Sequence, residues 1–91
     1  MELMDPTALG VALLGLEWQL EGGELVKVVR RHDFAEALQY VNAVGRLAES
    51  VGHHPDIELR WNTVTLHLLT HSLGGLTDAD VDLAARIDAL G

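Results

Sequence analysis

Two periodicities alternate along this chain. In "LEWQL" the apolar residues Leu16, Trp18 and Leu20 fall at every second position, with Glu17 and Gln19 between them. That alternation predicts a half-buried strand. "EGGE" follows as a glycine-rich hairpin turn, and the β-branched run "LVKVVRR" reads as the returning strand. From Phe34 the period lengthens. Phe34, Ala37, Leu38, Val41, Gly45 and Ala48 follow the i, i+3, i+4, i+7 rule and predict one apolar stripe along a long helix. Asp33 is placed to cap it, and Glu36 three residues on has capping-box spacing. Gly52 can end it, and Pro55 forbids its continuation. The shorter period returns in "DIELRW", with Ile57, Leu59 and Trp61 on one face. A tight turn at Asn62–Thr63 leads into "VTLHLLT", where Val64, Leu66 and Leu68 oppose Thr65, His67 and Leu69. Flanking helices are predicted at "DPTALGVALLGL", with Pro6 at the first helical position, and at "ADVDLAARIDAL", starting near Thr77 and Asp80.

The order is helix, two strands, helix, two strands, helix. It predicts a single α+β domain over residues 1–91: one four-stranded antiparallel sheet with the helices packed on one face. Composition narrows this. Aromatics are only 4% of residues, so the core must come from Leu, Val, Ala and Ile. The absence of cysteine removes disulfides and thiolate zinc sites. A net charge of −8 argues against a nucleic-acid surface, which needs clustered cations to neutralise phosphates. The apolar stretch "ALGVALLGL" is too short to span a bilayer and lacks the flanks of a signal peptide, so no membrane contact and a cytoplasmic setting are expected.

The chemistry concentrates in histidine. His32 reads as a solvated residue ahead of a helix, and His67 as a surface residue on the strand face away from Leu66 and Leu68. His53 and His54 fit a polar helix exit, because imidazolium near a helix C-terminus is favourable. If the hairpin closes at Asn62–Thr63, however, His53 or His54 comes beside His71, at the end of the fourth strand. Asp80 lies in the first turn of the last helix, and three imidazoles then converge with one carboxylate. Two chemistries suit such a set. One is zinc binding, although two-histidine helical spacing is absent and neighbouring side chains on an extended chain diverge. The other is general acid–base catalysis, since imidazole titrates near neutrality. Ser72 beside His71 is a weak nucleophile signal, and there is no Cys.

The stretch from "ALQYVNAVGRLAESVGHHPDIELRW" through "NTVTLHLLTHSLGGLTDADVDLAARID" resembles pterin-4a-carbinolamine dehydratase. The resemblance rests on Glu49 four residues before His53-His54-Pro55, on Trp61, on Thr70-His71, on Gly75-Leu76 and on Asp80, with Trp18 and "DFAEAL" agreeing upstream. It implies dehydration of 4a-hydroxytetrahydropterin to quinonoid dihydropterin, in support of tetrahydropterin recycling. It implies no cofactor and no metal, the pterin being substrate. It also implies His53, His54, His71 and Asp80 as the catalytic set, with His53 and His71 transferring protons. His54, Pro55, Trp61 and Thr70 would contact substrate. Asp80 would orient a histidine and favour its imidazolium, while also capping the last helix with Thr77. Family members form dimers and tetramers, so a homodimer or homotetramer is expected. The alternative is a non-catalytic binding or assembly module on the same fold, a role some relatives have taken. One departure stands out: "VVRRHDF" lacks the aromatics that relatives often carry there.

Overall fold

A computed structural model describes residues 1–91. Its elements are α1 (Pro6–Leu13), β1 (Gln19–Glu21), β2 (Glu24–Arg30), α2 (Phe34–Val51), β3 (Asp56–Arg60), β4 (Thr63–Leu68), a short 3-10 turn (His71–Leu73) and α3 (Asp78–Asp88). The strands form one antiparallel sheet in the order β1-β2-β4-β3, so each hairpin supplies one edge strand and one central strand. The helices lie over one face, as the alternation predicts.

Each end is set by local chemistry. Asp5 caps α1 by accepting from the Thr7 amide, and Pro6 begins the helix. Asp33 caps α2 by accepting from the Glu36 amide at 2.9 Å. α2 ends at Gly52, whose φ of 69° is the left-handed conformation that glycine adopts without steric cost. The first hairpin turns on Gly22 and Gly23, both at positive φ, as a two-residue turn between twisted strands requires.

The core row of β4 is Val64, Leu66 and Leu68, all fully buried. Opposite them on β2 stand Val29, Lys27 and Leu25. A lysine therefore sits in the helix-facing row, with its charge answered by Asp88 at the end of α3. From above, α2 contributes Ala37, Tyr40, Val44 and Ala48, and α3 contributes Leu83, Ala84 and Ile87.

Several expectations are corrected. The α2 stripe is rotated: Ala37 and Ala48 are buried, but Tyr40 and Val44 join them, and Phe34 and Leu38 are 47% and 41% exposed. The helix has apolar residues on two adjacent faces, and periodicity alone does not choose between them. The first strand is only Gln19–Glu21; Trp18 is buried ahead of it, and Leu20 is 48% exposed because β1 is a short edge strand. The second hairpin turns at Trp61–Asn62 rather than Asn62–Thr63, with Arg60 paired to Thr63. Trp61 is then a turn residue, with a φ of 55° and 67% exposure, rather than the inward end of β3. In the stretch after β2, Arg31 stacks over the Tyr40 ring at 4.6 Å from its centroid and donates to the Gly91 carbonyl.

Candidate active site

The site grows from the exit of α2. Gly52 turns the chain out of the helix, and Pro55 holds the preceding backbone extended. His53 and His54 therefore leave in different directions, as neighbours on an extended chain must. His53 turns inward to Asp80, with Nε2 2.6 Å from Oδ1. His54 turns to Glu49 on the last turn of α2, with Nε2 2.5 Å from Oε2, and this pair is solvated.

Asp80 is fully buried at the third position of α3. Its Oδ2 accepts from the Thr70 hydroxyl at 2.7 Å and from the Thr77 amide at 2.9 Å. The Thr77 hydroxyl lies 2.9 Å from that of Thr70 and accepts from the Ala79 amide at 3.2 Å. The hydroxyls thus form a chain in which Thr77 donates to Thr70 and Thr70 donates to Asp80. Thr77 and Asp80 also complete a reciprocal capping box. Capping and contact with a histidine, both foreseen for Asp80, are performed by one carboxylate through its two oxygens. A buried carboxylate is costly unless hydrogen-bonded or paired; here both compensations are present.

An ionised carboxylate can only accept, so in this pairing His53 Nε2 carries the donated proton and Nδ1 is the other ring nitrogen. The imidazole is 18% exposed, so the pair meets solvent only along one edge. His71 has a partner of its own. It begins the 3-10 turn inside the loop closed by the Thr70–Gly75 bridge rather than ending β4, and its ring lies 3.7 Å from Asp56 at the start of β3. Both groups are well exposed.

The three imidazoles thus do not share Asp80; each has its own carboxylate. The register sets Asp56 opposite His67, and the turn lies one residue earlier than expected. No three His, Asp or Glu side chains gather as a metal-ligand set. Thr70 is in the Asp80 network, whereas Trp61 lies at the far end of β3, roughly 16 Å along the strand from Asp56. His67, read as a plain surface residue, is half-buried and bonds Glu24 at 2.8 Å. The pairing of His54 with Glu49 was not anticipated as such. Its signal was in the sequence: a carboxylate on the last helical turn, five residues ahead.

Two grooves flank the His53-His54-Pro55 segment. One, of about 200 Å³, is lined by His53 with Val51 and α3 residues. The other, of about 540 Å³, runs between α2 and β3 past Glu49 and Ile57.

Residues 2–90 match the family model described as pterin 4 alpha carbinolamine dehydratase. A protein of Acidobacterium capsulatum with the provisional name pterin-4-alpha-carbinolamine dehydratase is 47% identical, over 99% of this chain and 99% of its own length. The crystal structure of a transcriptional coactivator/pterin dehydratase from Brucella melitensis superposes with a TM-score of 0.91 at 26% identity, covering 98% of both chains. A pterin dehydratase-like protein identified as a RuBisCO assembly factor in the alpha-carboxysome superposes at 0.66 with 28% identity, covering 82% of this chain and 87% of that one. With a family match over residues 2–90, a relative 47% identical along nearly its whole length and the same fold, the chain belongs to the pterin 4 alpha carbinolamine dehydratase family.

Proposed function

We propose that this protein dehydrates 4a-hydroxytetrahydropterin to quinonoid dihydropterin by histidine acid–base catalysis. The observation that carries the reading is the His53–Asp80 pair: a nearly enclosed imidazole, held in one tautomer by a buried carboxylate, in a chain of this family. The reaction breaks the C4a–O bond, delivers a proton to the departing hydroxyl and removes the proton on N5, so water leaves and no electrons are exchanged. One group must donate and another accept, and imidazole does either near neutral pH. His53 and His71 are the proton-transfer groups in this reading. His54, Pro55 and Thr70 hold the substrate, with Asp80 orienting His53. The chemistry calls for neither metal nor cofactor.

Stopped-flow measurement of carbinolamine decay tests this. Purified protein should accelerate decay, and His53→Ala should remove most of the acceleration. A wild-type protein that leaves the decay rate unchanged sinks the proposal and favours a second reading, an assembly module. The similarity to a RuBisCO assembly factor supports that alternative. Self-association belongs to either reading. Phe34 and Leu38 on α2, and Ile57 on the edge strand β3, are exposed apolar residues that a second copy would cover. Sedimentation at micromolar concentration should show a species larger than 9.9 kDa; a purely monomeric profile refutes this. No helix is long and apolar enough to cross a membrane.

A further inference from the structure

The end of the sheet farthest from His53 carries cations and a tryptophan that proton transfer does not use. Arg30, Arg31 and Arg60 are three of the six Lys and Arg residues in the chain, and all three stand where the second hairpin turns. Arg30 and Arg60 both pair with Thr63, from opposite sides, so the three form one row across the sheet. The next residues, Val29, Val64 and Leu59, face the helices, which puts this row on the open face. Strands lie about 4.8 Å apart, so the two arginine backbones are roughly 10 Å apart with a threonine between them. Arg30 is exposed and joins no ion pair within 4.0 Å. Arg60 has only a loose one, 3.9 Å from Glu58, with both side chains exposed. Arg31 is already engaged with Tyr40 and the Gly91 carbonyl.

Trp61 stands beside this row, largely exposed. Its φ of 55° is strained for a bulky side chain, and glycine would adopt it freely. The turn is nonetheless held firmly. The Asn62 side-chain amide donates to the Arg31 carbonyl at 2.9 Å, and the Arg31 backbone amide donates to the Asn62 carbonyl at 2.9 Å. An indole is thus offered to solvent on a fixed turn, at a position where folding favours another residue.

We propose that this end of the sheet docks an acidic segment of another protein. Carboxylates of the segment lie between Arg30 and Arg60, and an adjacent apolar side chain packs against Trp61. The inference is independent of the dehydratase reading. Charge selects the occupant. The chain carries a net charge of −8, so most of its surface repels an acidic partner, and only this end attracts one. Guanidinium groups hold carboxylates by forked, charge-assisted hydrogen bonds. Tryptophan and arginine are also the residues on which protein interfaces concentrate their binding energy. Nucleic acid needs a longer run of cations than two free guanidiniums to displace its counterions.

The test is fluorescence anisotropy of a labelled synthetic peptide that alternates Glu and Leu, titrated with the full chain. Wild-type protein should bind it saturably, and should bind the same peptide with Gln for Glu about tenfold more weakly. Raising the salt from about 0.01 M to about 1 M, which contracts the screening length from about 30 Å to about 3 Å, should remove most of the binding. Arg30→Ala and Arg60→Ala should each weaken binding by about tenfold, the scale of a lost hydrogen bond to a charged group. Arg46→Ala, which removes an equal charge from α2, should change it less than twofold. Trp61→Gly should lose about tenfold or more in affinity while melting at or above the wild-type temperature, because the strain in the turn is relieved. In wild type, unlabelled peptide should shift the emission of the exposed Trp61, the other tryptophan, Trp18, being buried. The proposal is overturned by absence of saturable binding, by equal binding of the Glu and Gln peptides, or by affinity that survives Trp61→Gly and both arginine variants. Melting of Trp61→Gly well below wild type also overturns it, by making the ring a structural residue. Tighter binding of single-stranded oligothymidylate than of the acidic peptide would assign the surface to nucleic acid instead. Carbinolamine turnover by Arg30→Ala and Arg60→Ala should match wild type, so docking and chemistry fail separately.

Discussion

The two ends of α3 each carry an aspartate that gathers partners from distant parts of the chain, and the partners differ in kind. At the start, Asp80 holds two threonines and His53. At the end, Asp88 accepts from the Glu17 amide at 2.8 Å, the Trp18 indole at 2.9 Å and the Lys27 ammonium at 2.5 Å. The second set ties α3 to the entry of β1 and to the middle of β2. Its cation, Lys27, is a point charge on a flexible stem. The first set contains an imidazole, whose second ring nitrogen leaves it one more hydrogen-bonding atom than the bond to Asp80 uses. Each carboxylate accepts several hydrogen bonds, Asp80 fully buried and Asp88 nearly so. Only the identity of the partner separates a fastening from a candidate catalytic device.

The largest expected effect is on turnover. His53→Ala and His71→Ala should each lower kcat by about 10²–10⁴-fold, with most of the loss in kcat rather than KM. Asp88→Ala should leave kcat per folded molecule close to wild type, measured in the same carbinolamine assay. If Asp88→Ala is as inactive as His53→Ala while still folded, the contrast between the two ends is wrong.

Stability should show the reverse ranking. Asp88→Ala strands the Lys27 ammonium, the Trp18 indole N–H and the Glu17 amide, and should cost about 3–5 kcal/mol in urea unfolding. His71→Ala removes an exposed ring with one loose partner and should stay within about 0.5 kcal/mol.

A smaller effect concerns Tyr40, next to the Asp88 end. Burial raises its pKa above 10.0, against the opposing pull of Arg31, with Asp88 and Glu17 adding to the rise. The folded state therefore holds the phenol proton more tightly than the unfolded state. That contribution is intact below the unfolded pKa and is lost as pH rises through the folded value. The hydroxyl is buried without a hydrogen-bond partner. Tyr40→Phe should thus be neutral or stabilising at pH 7 and should flatten the alkaline decline, as read from unfolding midpoints between pH 8 and 11. The smallest effect is expected at His67, whose bond to Glu24 lies on the sheet face away from the helices. His67→Ala should change turnover less than twofold and stability by about 0.5 kcal/mol or less.

Every helix and strand was legible in the sequence, because caps, glycines and the change of period mark their positions. What was misplaced depended on contacts beyond the local window. The buried face of α2 was chosen by where α3 and β4 lie. The turn at Trp61–Asn62 asks for positive φ at a tryptophan, which no turn preference suggests. Lys27 drew no comment in the sequence, because its partner stands 61 positions away. At the site, His53 and Asp80 were placed in one cluster, whereas Thr70 was named only as a substrate contact and its bond to Asp80 was not foreseen. That each imidazole takes a carboxylate of its own was not foreseen, because such pairings depend on side-chain directions that spacing along the chain does not fix.

The capping box at Asp80 bears on how relatives of this protein drift in sequence. That carboxylate closes the first turn of α3 and holds Thr70 whether or not a histidine faces it. A lineage that abandoned catalysis would be free to lose His53 but not Asp80, whose removal exposes the cost of uncapped amides in a buried place. Retention of the aspartate and its threonines is therefore a record of folding. Retention of the imidazole is a record of chemistry, and the two can be read separately in any descendant.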